Sequence, residues 1–339
     1  MTGGRKVRRW PLLVGLVLLA PYVGEFLLGN QPITALPWLL ALAPMYGGGA
    51  LLIREVGRRL RGGWPVLVLL AAGYALLEEG PIDQMLFNPG YLGLTSFADL
   101  APIPGLDVSA ELVQGSLTLH TIWSICVPIA VVEGFAAEPT RPWLRRRGLA
   151  GTAAIFVLGC AALAFVQYDS YHFVGSAAQF AVVTAAIVLL VAAAVVVARR
   201  WPGPPSIDPR RRPAPAPRRV GIAAFLLASG YWAIDTVLAW FTGAWLQLAI
   251  WVAYAAGCAV LLIRCSHRAG WGAGHRLAVA GGLLLTYVWY GLVHATSLGT
   301  PLPFALAGTV VFGAGAIAVL LAAVRSHRRR AAGAVVAPE

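Results

Sequence analysis

The sequence predicts an all-α fold, a polytopic transmembrane helix bundle of about ten helices with both termini in the cytoplasm. Hydrophobic residues make up 59% of the 339 residues and mean hydropathy is +0.74, whereas soluble proteins contain about 45–50% apolar residues. Only 12% of the residues are charged, and they are clustered, so long uncharged stretches remain. This composition excludes a water-soluble enzyme.

Each predicted span is an uncharged or nearly uncharged run close to the roughly 20 residues that cross a bilayer as a helix. The ten runs are 10–28, 35–53, 64–79, 117–137, 149–166, 174–198, 220–241, 244–263, 277–298 and 302–324. The glycine triplet 47–49 in the second run predicts close contact between helices.

The basic residues predict the orientation of these helices. All 26 Lys and Arg residues precede helix one or follow helices two, four, six, eight and ten, so an alternating chain places them all on one side. Cytoplasmic loops are enriched in basic residues. The net charge of +12 is therefore a topology signal that favours contact with anionic membrane lipid, and no nucleic-acid partner is needed to explain it.

The cellular setting is predicted from residue usage. The chain has 25 Arg and one Lys, a ratio typical of a GC-rich bacterial genome. We expect a multi-pass protein of the bacterial plasma membrane. The four cysteines lie in or beside apolar runs without metal-ligand spacing. No metal and no cofactor is predicted.

A cytoplasmic linker rich in Pro and Arg, 199–219, divides the predicted chain into two parts. The first membrane bundle is 1–198 with six helices, and the second is 220–324 with four, followed by a basic tail, 325–339. An acidic outer loop, 88–116, contains no basic residue and is long enough to form a lid.

Ionisable residues inside apolar runs are costly and usually face a bundle interior. With a rise of about 1.5 Å per residue, such residues on five helices share one depth, in the outer third of the membrane. They are Glu25, Glu78, Glu79, His120, Asp235 and His294. The alternative is that their common depth is a coincidence, because charged side chains cost the least free energy near the ends of membrane helices.

The adjacent carboxylates Glu78 and Glu79 give the most specific local pattern. Pro81 follows them and is expected to end the helix, so the partial negative charge of the helix end opposes a second carboxylate charge. One glutamate is then a proton donor and the other an acceptor, which suits acid–base catalysis. We expect residues 81–87 to begin a short re-entrant helix with Asp83 in its first turn. A helix that simply ends at the water boundary is the alternative.

We predict Glu78, Glu79 and His120 as catalytic residues, with Ser124 one turn beyond His120. The predicted substrate-binding residues lie at similar depth or beside aromatic side chains, although aromatic stripes are more often packing or interfacial belts. They are Glu25, Asp83, Asp235, Tyr290 and His294.

The Glu78–Glu79 pair, followed 41 residues after Glu79 by His120, resembles the CPBP and type II CAAX-processing intramembrane proteases. Asp83 stands at the Arg position of their motif, and Ser116 at a Phe position. The resemblance implies a hydrolase in which Glu78 or Glu79 activates water and His120 orients it or stabilises the oxyanion. Residues 78–93 and 119–124 also resemble a group of uncharacterised actinobacterial membrane proteins.

Four functions fit these patterns. The first is a membrane-embedded hydrolase acting on an amide or ester of a lipid-adjacent or peptide substrate that arrives from the extracytoplasmic side. The others are a proton-coupled transporter, a non-catalytic accessory protein and a prenyl or terpene cyclase. The sequence leaves the substrate and the oligomeric state open.

Overall fold

The computed structural model describes residues 9–93, 100–200, 212–238 and 243–336, without the side chains of 235, 238 and 334–336. The structure is almost entirely helical, which confirms the all-α prediction. Its helices are α1 Trp10–Pro21, α2 Trp38–Arg59, α3 Gly63–Leu77, α4 Ala110–Leu119, α5 Val127–Glu133, α6 Arg146–Tyr171, α7 Ala177–Arg200, α8 Pro217–Leu238, α9 Ala244–Ser266, α10 Ala273–Ser297 and α11 Leu302–Val336.

Three helices continue into π-helical segments, in which each backbone hydrogen bond spans five residues rather than four. Tyr22–Leu27 extends α1, Glu78–Ile82 extends α3, and His120–Cys126 joins α4 to α5 in one rod. The remaining small elements are 3-10 turns at Ile33–Ala35 and Tyr91–Gly93 and an antiparallel pair, β1 Pro102–Ile103 with β2 Val108–Ser109.

Nine helical rods in the described part of the chain are long and apolar enough to cross a membrane. The helix α8, with 22 residues, is a further long rod. Each of the ten predicted apolar runs overlaps one of these rods in the described residues, so the polytopic bundle is confirmed.

The glycine triplet on α2 brings three helices close to it, as the sequence predicts. A Cβ on Gly47 would lie 2.2 Å from the Val17 carbonyl oxygen of α1, and one on Gly49 would lie 2.5 Å from the Tyr74 ring of α3. A Cβ on Gly48 would lie 3.3 Å from the Phe156 Cβ of α6. Larger residues at these positions would push the helices apart.

Several predicted boundaries were wrong. The fourth span begins at Ala110 rather than at 117, because the Ser109 side chain accepts a hydrogen bond from Leu112 N at 3.0 Å and caps the helix. The acidic outer loop is therefore shorter than 88–116. Residues 85–87 form a turn rather than a re-entrant helix, with Phe87 packed edge-on against Phe180 of α7.

The predicted basic side of the membrane corresponds to one end of the bundle. Arg9 donates to the Pro142 carbonyl at 3.3 Å, and Arg330 donates to the carbonyls of Gly134 and Phe135. These contacts join the start of α1, the α5–α6 connection and the end of α11. The cytoplasmic assignment of this end stays a prediction.

The predicted division into two bundles also stays a prediction. α10 packs along α8 and also meets the end of α1, where a Cβ on Gly291 would lie 2.2 Å from the Leu27 carbonyl oxygen. The later helices are thus in close contact with the earlier ones.

Candidate functional site

A group of buried ionisable side chains, here called the acidic cluster, consists of Glu25, Glu78, Glu79 and His120. They come from three different rods, and their exposed fractions are 8%, 3%, 5% and 3%. The structure therefore brings together the three predicted catalytic residues and one of the predicted substrate-binding residues.

His120 lies between the two adjacent glutamates. Its Nε2 is 2.6 Å from Glu79 Oε1, and its Nδ1 is 3.0 Å from Glu78 Oε2. The Ser124 hydroxyl is 3.1 Å from the same Nδ1. Glu78 Oε2 makes an ion contact but no well-aligned hydrogen bond, so an imidazolium would donate to Glu79 from Nε2 and to the Ser124 hydroxyl oxygen from Nδ1.

Glu25 joins the cluster through a tyrosine on α2. The Tyr46 hydroxyl donates a hydrogen bond to Glu25 Oε1, and the Tyr46 ring lies 5.9 Å from the His120 ring. Tyr46 is 2% exposed. It connects the carboxyl of Glu25 to the face of the cluster formed by His120.

Gly24 makes room for this arrangement. A Cβ built on Gly24 would lie 2.6 Å from the Ser124 hydroxyl oxygen and 3.0 Å from the Tyr46 ring. Both neighbours contact members of the acidic cluster. A side chain at position 24 would therefore displace the groups that hold His120 and Glu25.

Every member of the acidic cluster lies on a π-helical segment, and the described residues contain three such segments. In the second of them, the Asp83 amide donates to the Glu78 carbonyl, five residues earlier, at 2.9 Å. Pro81 was expected to end the helix, but the wider π turn carries the backbone past it to Ile82. π-helical turns occur frequently at functional sites, where they change the direction of a side chain.

The charge balance of the cluster requires bound protons. In the described residues, no salt bridge links Glu25, Glu78 or Glu79 to Lys or Arg, and His120 is their cationic neighbour. One imidazolium compensates one carboxylate, and uncompensated buried charge is costly. The cluster is therefore expected to hold protons on the remaining glutamates. Glu78 Oε2 and Glu79 Oε2 are both buried without a hydrogen-bond partner among the described atoms.

Asp83 and Tyr91 lie beyond the ends of the helices and extend the set of protonatable groups next to the acidic cluster. Asp83 Oδ1 accepts from the Met85 amide at 2.9 Å, and Asp83 Oδ2 accepts from the Tyr91 hydroxyl at 3.2 Å. Burial raises the pKa of the Asp83 carboxyl well above its ordinary value, and the nearby Glu79 raises it further. Burial, and then Asp83, likewise raise the pKa of Tyr91.

Tyr290 and His294 lie in an aromatic group rather than in the acidic cluster. Tyr290 stacks on Trp232 with ring centroids 4.4 Å apart, and His294 Nε2 is 2.8 Å from Asn30 Oδ1. The same group includes Trp123, which lies in the π-helical segment of His120 and stacks on Tyr287 at 4.9 Å. Rings pack directly on rings here. The substrate-binding role of these residues stays a prediction, and the side chain of Asp235 lies outside the described residues.

Sequence reasoning missed Tyr46 and Tyr91 as members of the site. Tyrosine is tolerated in an apolar run and carries no charge, so neither residue stood out as an ionisable group. The signal that could have found Tyr46 is its place in α2, one residue before the close contact at Gly47.

A second buried ionic group, the arginine network, lies at the other end of the bundle and consists of Arg54, Glu55, Arg58 and Glu133. Arg54 is 2.7 Å from Glu55 and 3.0 Å from Glu133, and Arg58 contacts both oxygens of Glu133 at 2.9 and 2.6 Å. Arg54 and Glu55 are completely buried.

No group of three or more His, Cys, Asp or Glu side chains in the described ranges is arranged to hold a metal ion.

The family model of an uncharacterized membrane protein family matches residues 12–331. Because this match covers most of the chain, the protein belongs to that family. Neither a curated protein nor a solved structure matches the chain.

Proposed function

We propose that this integral membrane protein is a membrane-embedded acid–base hydrolase that uses Glu78, Glu79 and His120. The observation that carries the proposal is the placement of His120 between two carboxyl groups, at 2.6 and 3.0 Å, in a site without Lys or Arg among its described partners. Groups that must exchange protons during a reaction are held at hydrogen-bond distance from one another. The family membership itself supports only the membrane location.

In this proposal Glu79 is the general base. Its oxygen Oε2 has no partner among the described atoms and is available to accept a proton from water. The hydroxide attacks the carbonyl carbon of an amide or ester, and the carbonyl π electrons move to the oxygen. His120 then donates its proton to the leaving nitrogen or oxygen as the carbonyl re-forms.

Glu78 and Ser124 hold the imidazole in place during these steps. Both contact Nδ1 of His120, at 3.0 and 3.1 Å, and so set the ring orientation from the side opposite Glu79. The resemblance to the CPBP and CAAX-processing proteases at Glu78, Glu79 and His120 supports the activation of water by one of the two glutamates. Asp83 replaces the arginine of that motif and makes this site more acidic.

The substrate class follows from the proposed orientation. The acidic cluster lies at the end opposite Arg54 and the other basic residues, which the positive-inside rule assigns to the cytoplasm. We therefore propose that the substrate is an amide or ester in the outer leaflet or the extracytoplasmic space. The bacterial plasma membrane is part of the same proposal.

The alternative of a proton-coupled transporter has one supporting observation and one opposing one. Asp83, Tyr91, Tyr46 and Glu25 extend the set of protonatable groups on both sides of His120. Between the acidic cluster and the arginine network, however, the interior is packed with buried apolar side chains. These include Ala50, which lies on α2 between Tyr46 and Arg54, and Ala71, which lies on α3 between Trp64 and Glu78. A proton pathway across this layer would need a different conformation.

The test is turnover by the purified protein in lipid nanodiscs, with fluorogenic acylated peptides and lipid esters as probes and ¹⁸O-water to trace hydrolysis. Glu79→Gln and His120→Gln are expected to lose at least about a hundredfold in rate, the usual size of a general acid–base contribution. Glu111→Gln is the matched control, since Glu111 is also buried but bonds to Gln247 on α9.

Equal turnover by all variants would overturn the proposal. Proton uptake into liposomes that stops in Glu79→Gln, without any hydrolysis by the unmodified protein, would assign the cluster to transport instead.

A further inference from the structure

An apolar groove lies away from the acidic cluster, between α1, α5 and α11. Its volume is about 550 Å³, within the range of roughly 300–1,000 Å³ of small-molecule sites. Residues that line it include Leu12, Gly15 and Tyr22 of α1, Phe135 after α5, and Val319 of α11. Its one polar side-chain group among these, the Tyr22 hydroxyl, already donates to the Phe312 carbonyl.

The shape of the groove suits a linear hydrocarbon chain. From Leu12 to Tyr22 its wall follows α1 for ten residues, which is about 15 Å along the helix axis. The groove therefore runs along the direction of lipid chains in a bilayer. Most of its lining is half-buried, so it is accessible from the side.

Two arginines border one end of the groove. Arg9 directly precedes α1, and Arg330 donates to the carbonyl of the lining residue Phe135 at 3.0 Å. Both contact backbone carbonyls, whereas the salt bridges of the described residues involve other arginines. Each guanidinium has five N–H donors, so donors remain for an anionic group.

We propose that this groove is a binding site for an acidic phospholipid. One acyl chain lies along α1 and α11, and the phosphate is held by Arg9 and Arg330. The apolar wall and the basic end together match a molecule that is apolar along its length and anionic at one end. A second copy of the chain is a poorer match, because an apolar contact face needs no negative charge and so does not account for the two arginines.

Gly15 provides a variant that fills the groove and preserves the fold. A Cβ on Gly15 meets no heavy atom within 4 Å, so Gly15→Phe projects into the open space of the groove. Gly257→Phe is the matched control, because Gly257 on α9 also faces open space. Both add the same side chain to a transmembrane helix.

The experiment is native mass spectrometry of the full-length protein with phosphatidylglycerol or with phosphatidylcholine of the same acyl chains. We expect one retained phosphatidylglycerol, unchanged in Gly257→Phe and at least about tenfold less occupied in Gly15→Phe. Each arginine near a lipid surface contributes roughly a fivefold preference for anionic lipid. Arg9→Gln, an exposed position, should therefore lower the preference for phosphatidylglycerol about fivefold.

Four results would overturn the proposal. Equal lipid retention by Gly15→Phe and Gly257→Phe would show that lipid binds elsewhere. Equal affinity for both lipids, with no effect of Arg9→Gln, would leave an unspecific hydrocarbon groove. Loss of a dimer mass in Gly15→Phe, without a change in lipid, would assign the groove to a second copy. Competition by inorganic phosphate alone would show that the anion is not a lipid.

Discussion

The acidic cluster and the arginine network are both buried ionic groups in one helix bundle, but they differ in how their charges are satisfied. In the arginine network every carboxylate oxygen accepts a donor: Glu55 receives Arg54, Arg59 and the amides of Trp143 and Leu144. In the acidic cluster the acids outnumber the base, and Glu78 and Glu79 each have a buried oxygen without a hydrogen-bond partner among the described atoms.

This difference indicates different roles. The arginine network holds fixed charges in opposite pairs, so it contributes geometry and cannot easily change its protonation. The acidic cluster places several protonatable carboxyl groups around one imidazole, so its charge distribution can change. Saturated pairing is typical of a structural joint, and excess acid in a buried site is typical of acid–base chemistry.

The largest effect on stability is expected for Arg54→Met. Removing this guanidinium takes the fully buried cation from Glu55, which keeps Arg59, and from Glu133, which keeps Arg58, and breaking such a buried pair costs about 3–5 kcal/mol. The measurement is equilibrium unfolding in mixed micelles. Arg141→Gln, in an exposed pair with Glu138, is the control and should change little. A small effect of Arg54→Met would contradict the assignment of a structural role to the network.

A smaller effect is expected for Gly24→Ala. The added methyl group collides with Ser124 and Tyr46, and overpacking of this kind costs about 1–3 kcal/mol. Gly15→Ala on the same rod faces open space and should be neutral. Unfolding measurements on both variants test this, and turnover should fall in Gly24→Ala alone. If the two variants behave alike, Gly24 does not position the cluster.

Asp83 predicts a pH-dependent difference. Its folded pKa is raised by burial and by Glu79, so its contribution to stability is present below the ordinary carboxyl pKa of about 3.9 and is lost as pH rises through the folded value. Asp83→Asn removes this loss. The melting temperature of the unmodified protein should therefore fall relative to Asp83→Asn between pH 4 and the folded pKa. The exposed Asp169→Asn is the control, and parallel pH profiles for all three proteins would refute the prediction.

The smallest effect on stability is expected for Glu79→Gln. If the cluster stores protons, Glu78 can lose its proton and compensate the His120 imidazolium when position 79 carries a neutral amide, and the free energy of unfolding should change by less than about 1 kcal/mol. This contrasts with Arg54→Met and separates the two clusters most clearly. Destabilisation as large as that of Arg54→Met would show that Glu79 is a fixed structural charge.

Much of the fold could be predicted because its causes are local. Long apolar runs must form helices in a bilayer, since backbone groups there have no water to bond. Ionisable side chains are costly inside a membrane, so Glu78, Glu79 and His120 could be predicted as site residues from their positions in apolar runs. The start of the fourth rod was missed because the polar residues after Ala110 resemble a loop, although Ser109 caps them as a helix.

The sequence by itself determined which segments are helices and which ionisable groups they carry, because hydropathy and charge act on each residue separately. Only the tertiary structure decided the neighbours of those groups. Glu25 meets Tyr46 across two helices, and Arg54 reaches Glu133 across 79 residues. His294 packs beside Asn30 rather than in the acidic cluster. Such contacts depend on the rotation and spacing of whole helices. The close approach of Gly47 on α2 to α1 and the π-helical segments together set this rotation and spacing.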